Sequence, residues 1–256
     1  MKILCVGDVV GSIGCRFLRS RLPRLKREKA IDAVVVNGEN SADGNGITPD
    51  SAEDLFASGA DVITTGNHVF RRKEIYSMLE EHAFLLRPAN FPASAPGRGV
   101  CILDRGKYQI GVINLMGTAF MENLRSPFET MDQLLRETEL PKTVILDFHA
   151  EATGEKRALA FYLDGKLSAV FGTHTHVPTA DETILPNGTG YLTDVGMTGP
   201  ILSVLGVKPE QVIEKYLSHM PVRFSVPEGD CRMDAVLFEI DEKTGKTRSV
   251  ERLNLF

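Results

Sequence analysis

"AVVVNGEN", residues 33–40, sets an unbroken run of small and β-branched apolar residues against a polar turn that carries Glu39 and Asn40. The run is too short for an ordinary helix, and its branched side chains suit a pleated surface. It reads as a strand buried on both faces, the kind found in parallel sheets covered by helices. Four other segments end in the same way. "ILCVGD" (3–8) delivers Asp8, "VITTGNH" (62–68) delivers Asn67 and His68, "VILDFH" (144–149) delivers His149, and "AVFGTHTH" (169–176) delivers His174 and His176. In open α/β sheets the loops at the carboxyl ends of the strands gather on one edge, and ligands bind there.

Helical-looking stretches separate these runs. A basic helix is expected near 15–28, and another from about Pro49, where "TPDSAEDL" supplies a cap and early acids. A third reaches roughly residue 81, and more follow near 128–138, 154–162 and 208–218. "RGVCILD" with "YQIGVINL", the segment "ETILPNGTGYLTD" and the two runs joined at "DEKTGK" read as hairpins. Strand–helix alternation first and hairpins later predict a mixed α/β fold with sheets sandwiched between helices. The Pro-rich stretch at 88–97, within "RPANFPASAPG", is the best boundary candidate, but it is short, so residues 1–256 read as one domain.

Composition excludes several function classes. With 43% hydrophobic and 25% charged residues and a net charge of −5, the chain is an ordinary globular protein without a basic patch for double-stranded nucleic acid or anionic membrane. Any anionic substrate has to be drawn by a local positive centre. The four cysteines are scattered, which argues against a disulfide framework or thiolate zinc site and for a reducing compartment. No run approaches the roughly 18 apolar residues of a membrane span. Asp8 interrupts the N-terminal apolar run too early for a signal peptide. A cytoplasmic protein is the expectation, and a homo-oligomer is compatible with it.

Taken singly, an aspartate after a strand is most often a helix cap or turn former, and a lone histidine there is most often structural. Together, four of the six histidines, two carboxylates and two asparagines occupy one structural position. Carboxylate, imidazole and amide oxygen form a mixed N/O donor set without thiolate, which suits manganese, iron or zinc. Seven donors (Asp8, Glu39, Asn40, Asn67, His149, His174 and His176) exceed what one four-coordinate ion uses. Two ions sharing a bridging carboxylate use them all, with Glu39 as the bridge. Such a pair carries more positive charge than Asp8 and Glu39 return, so it attracts a phosphate, and it acidifies a bound water from a pKa of about 15.7 towards about 7. His68, beside Asn67, is the candidate general acid.

The ordered set "GDVVG", "GEN", "GNH", "FHAEAT" and "GTHTH" resembles the calcineurin-like metallophosphoesterase superfamily, most closely its bacterial YmdB-like branch of 2′,3′-cyclic-nucleotide 2′-phosphodiesterases. "SPFETMD" and "TDVGMTGP" extend the likeness over nearly the whole chain. The resemblance implies a four-layer α/β/β/α sandwich. It implies one ion on Asp8, Glu39, Asn40 and His176, a second on Glu39, Asn67, His149 and His174, and His68 as the catalytic histidine. It also implies a small phosphodiester or cyclic nucleotide as substrate, cleaved by a metal-bound hydroxide. "GDVVG" lacks the histidine of the common D-x-H motif, and "GEN" supplies Glu39 where the wider superfamily bridges with aspartate. Thr118 stands where an arginine is expected.

Weaker signals remain. Glu151, in "FHAEAT", is read either as orienting His149 or another ligand or as a simple helix-start acid. "DVGMTGP" (194–200) is read as a pocket-shaping loop or a Gly-rich turn, and His82 and His219 as solvated. A phosphomonoesterase on the same site, or a non-catalytic protein binding metal and nucleotide, are the alternatives.

Overall fold

From its amino terminus, the computed structural model, which describes residues 1–256, runs through β1 (Lys2–Val6), β2 (Asp8–Val9), α1 (Gly11–Glu28), β3 (Ala33–Asn37), α2 (Pro49–Ala57) and β4 (Val62–Thr64). A 3-10 turn (Lys73–Ile75) leads into α3 (Tyr76–Glu81), then β5 (Val100–Asp104), β6 (Gln109–Met116), α4 (Pro127–Glu137), β7 (Thr143–His149) and α5 (Thr153–Tyr162). Then come β8 (Ala169–Thr173), β9 (Thr183–Ile184), β10 (Gly190–Leu192), β11 (Met197–Pro200), α6 (Pro209–Ser218), β12 (Cys231–Ile240) and β13 (Thr247–Leu255).

The strands form two mixed sheets. One has the order β2-β11-β12-β1-β3-β4, with β13 paired to β12; the other has the order β5-β6-β7-β8-β10-β9. In the first, β1, β3 and β4 are parallel; in the second, β6, β7, β8 and β10 are parallel. The period of two along each strand sorts the core. Ile3 and Cys5 of β1 and Ala33 and Val35 of β3 face a cluster shared with Val112, Ile145 and Phe171 of the second sheet. Leu4, Val6, Val34 and Val36 face the opposite way, onto Leu18 and Leu22 of α1 and Leu55 of α2. Ile113, Leu146 and Val170 pack outward on Met131 of α4 and Leu159 of α5. The result is the expected four-layer α/β/β/α sandwich. No helix is long and apolar enough to cross a membrane.

Several expected elements shift. α1 begins at Gly11 rather than near residue 15. Its opening "GSIG" has poor helix propensity, but Gly14 packs where a Cβ would lie 2.5 Å from the Thr198 carbonyl oxygen, and this packing overrides propensity. "DVGMTGP" is not a free turn: Met197–Pro200 is a buried strand, paired to β2 and β12. Its glycines hide it from a propensity reading, since pairing partners from distant sequence make the strand. His82 is half-buried and stacks on Phe56, with ring centroids 4.3 Å apart. His219 is exposed.

Candidate metal centre

The carboxyl ends of β1, β3, β4, β7 and β8 bring all seven sequence-selected side chains together. They fall into two groups that meet at Glu39. In one, the Asn40 amide nitrogen lies 3.4 Å from Asp8 Oδ1 and 3.3 Å from His176 Nε2, and His176 Nε2 lies 3.5 Å from Asp8 Oδ1. In the other, His149 Nε2 lies 3.0 Å from Asn67 Oδ1, 3.1 Å from His174 Nδ1 and 3.2 Å from Glu39 Oε1. Glu39 Oε1 also accepts from the Asn40 amide at 3.1 Å, which joins the groups. Ligand atoms of Glu39, His149 and His174 all lie within 4.8 Å of one another. Asp8, Glu39, Asn40 and His149 are buried, whereas Asn67, His174 and His176 are half-buried.

The backbone is shaped to reach this geometry. Gly66 precedes Asn67 because a Cβ there would lie 2.1 Å from the His149 ring. His174 and His176 both have left-handed backbones, φ 103° and 62°, a conformation that L-residues hold only when the surroundings impose it. Asp8 Oδ2 accepts from the His174 amide at 3.2 Å, and Asp194 Oδ2 from the Thr175 amide at 3.1 Å. Asp194 is itself held by Lys156 Nζ at 2.7 Å in a fully buried ion pair. The His-Thr-His turn is thus clamped from two sides.

A second tier orients the imidazoles. His149 Nδ1 contacts Thr173 Oγ1 at 2.9 Å, so Nε2 is the nitrogen facing the centre. Beneath it, the Asp147 carboxylate accepts from Asn37, Thr64 and Thr173. His176 Nδ1 donates to the Leu205 carbonyl at 3.0 Å. Glu151 reaches His174 Nε2 at 3.0 Å, so its partner is His174. Such carboxylate and carbonyl partners fix which nitrogen of a metal-binding histidine is presented. Sequence reasoning missed Asn37, Asp147, Lys156 and Asp194. The signal for the first two was present: each is a polar residue inside an apolar strand run, as in "VILDFH".

The electrostatics fit a cation. Burial works against ionisation of Glu39, yet His149 and His68 hold its pKa well below the usual carboxylate value. Burial by itself pushes His149 down, but Glu39, Asp8 and Asp147 outweigh it and raise its pKa to about 9. Desolvation of the half-buried His174, with His149 beside it, lowers its pKa to about 4. Two buried carboxylates, Asp8 and Glu39, therefore favour positive charge at this edge. The Asn40 amide nitrogen lies within 3.4 Å of both carboxylates. Turned over, the amide presents its oxygen at that place, as an ion requires.

His68 sits at the rim. Its amide donates to Glu39 Oε2 at 3.0 Å, and its Nδ1 lies 2.8 Å from Asn40 Oδ1 and 3.2 Å from Glu39 Oε1. It lines a cleft of about 440 Å³ with Glu39, Asn40, Glu151, His174 and His176. Thr118 is not among the lining residues; its amide and hydroxyl both bond Glu155.

Comparison with known proteins follows the same lines. Residues 4–253 match the family described as YmdB-like protein. The chain is 45% identical over 254 residues to a Bacillus subtilis (strain 168) protein named 2′,3′-cyclic-nucleotide 2′-phosphodiesterase, covering 99% of this chain and 96% of that one. Among solved structures it resembles a hypothetical protein from Thermus thermophilus, with TM-score 0.94 and 40% identity over 99% of this chain and 98% of that one. It also resembles a novel phosphatase of Mycoplasma pneumoniae, with TM-score 0.94 and 35% identity over 100% of this chain and 93% of that one.

Proposed function

The chain belongs to the YmdB-like family, and from that premise we propose that it is a metal-dependent phosphodiesterase that opens 2′,3′-cyclic nucleotides at the 2′ ester. The observation that carries this reading is the placement of Glu39 between two groups of donors on one edge of the sandwich, beside a cleft that also holds His68. Asp8, Glu39, Asn40 and His176 would hold one ion, and Glu39, Asn67, His149 and His174 the other; the donor types suit iron or manganese, with zinc also accommodated. When bound, the two ions supply Lewis acidity and a water acidified for attack on phosphorus.

The protein's own groups do the rest. Water adds to phosphorus, the bond to the 2′ oxygen breaks, and that oxygen needs a proton. His68 is the donor. Its Nδ1 is turned toward the Asn40 side chain and Glu39 Oε1, which leaves Nε2 as the atom that gives up the proton. The Lys156–Asp194 pair and Asp147 keep the imidazoles aimed, so little reorganisation accompanies reaction. Breaking the 2′ ester leaves the 3′ ester in place, so the product is a nucleoside 3′-monophosphate.

Two measurements test the reading. Metal-loaded protein should convert a 2′,3′-cyclic nucleotide to the 3′-monophosphate much faster than it hydrolyses a nucleoside monophosphate. A faster monoester reaction would make it a phosphatase, and nucleotide binding without product would make it a regulatory protein. His68→Ala should keep its metal content and lose about 10²- to 10⁴-fold in turnover of the cyclic diester. Undiminished turnover in that variant removes the general-acid role.

A further inference from the structure

One wall of the cleft is chemically unlike its floor. The floor consists of carboxylates, amides and imidazoles, whereas the wall is made by Leu205, Val207, Phe224 and Val226, with Val10 beside them. Phosphate and ribose hydroxyls gain nothing from such a surface, because both need hydrogen-bonding partners. Yet the wall is fixed in place. The Leu205 carbonyl takes the His176 Nδ1 hydrogen bond at 3.0 Å, and the Ser225 amide donates to Gln211 Oε1 at 2.7 Å. Lys208 N donates to the Ser225 carbonyl at 3.0 Å, so the segment around Phe224 is tied to the start of α6. Phe224 remains 36% exposed and Leu205 48% exposed, so part of each side chain is open beside the polar cluster. The Lys215 ammonium lies 5.1 Å from the Phe224 ring centroid, over one face, and leaves the other face without that cover.

We infer that this wall is a nucleobase subsite: the base lies against Phe224 and Leu205 while the phosphate meets the floor. The inference rests on the proposed function and narrows its substrate to a mononucleotide-sized diester, which a cleft of about 440 Å³ accommodates. Leu205, Val207, Phe224 and Val226 offer no side-chain amide or carboxylate to read a base edge. Contact with these four side chains follows ring area.

The test is calorimetric titration of the metal-loaded protein with adenosine 3′-phosphate and, separately, with 1-O-methylribose 3-phosphate. The nucleotide should bind about tenfold more tightly or better, the contribution of one stacked base. Phe224→Ala should remove most of that gap and leave the base-free probe unchanged, while Phe224→Trp preserves it. Equal affinities of the two probes for the wild type, or a gap that survives both Phe224→Ala and Leu205→Ala, overturn the subsite. Failure of the hydrolytic reading looks different: no turnover of the cyclic diester, with the affinity gap intact.

Discussion

The floor and the wall of the cleft are built by opposite means. Floor residues come from five strand ends that lie far apart in sequence, and Asp8 and His149 are fully buried. His149 and Glu39 are each held by several partners, and the His-Thr-His turn is pinned in a backbone that few residues adopt unaided. The wall comes from one contiguous excursion, residues 201–230, between β11 and β12, in which only Gly206 is buried. No residue of α6 is buried, and Ile213, Tyr216 and Leu217 are all exposed. The contrast separates chemistry from selection. The two-sheet core dictates where the donors stand, and the excursion adds one hydrogen bond to them, the Leu205 carbonyl on His176 Nδ1.

That separation can be broken at its strongest point first. Glu39→Gln removes the charge shared by both groups of donors. Turnover of the cyclic diester should fall by on the order of 10³-fold or more, the effect of losing several kcal/mol of electrostatic stabilisation, and bound metal should fall with it. Activity within tenfold of wild type would show that the floor is not one unit. Asp194→Asn comes next, since it leaves Lys156 buried and uncompensated. Urea unfolding should show a loss of about 3–5 kcal/mol, and metal should bind about 10–100-fold more weakly as the His-Thr-His turn loosens. Unchanged metal affinity in a folded variant would mean that the turn needs no clamp. The smallest effect belongs to the excursion. Ile213→Ala should change stability by no more than about 0.5 kcal/mol, whereas Leu22→Ala in the layer between α1 and the first sheet should cost about 2–5 kcal/mol. A large loss at Ile213 would mean that α6 is buried in solution against something else.

The same contrast explains what could be read from the sequence. Apolar runs ending in Asp8, Glu39, Asn67, His149 and His174 declare both the strands and the donors, because parallel strands point their carboxyl ends one way. The Thr48–Pro49 start of α2 was legible from local chemistry: Thr48 accepts the Ser51 amide at 3.3 Å and Pro49 opens the helix. β11 was not legible, since "MTGP" becomes a strand only through β2 and β12, partners nearly 200 and about 30 residues away. Lys156 and Asp194 were hidden for a similar reason. A lysine on a helix is ordinarily solvated, and nothing local shows that this one is enclosed by the second sheet. The wall carried no periodic signal, and Phe224 gains its meaning only from what it faces.

The central claim is that the seven donors form one centre for two ions. Equilibrium dialysis of the purified protein against manganese, followed by elemental analysis, tests it most directly. The account expects two ions per chain at saturation. A chain that saturates with a single ion, or with none, while turning over substrate at full rate would contradict it.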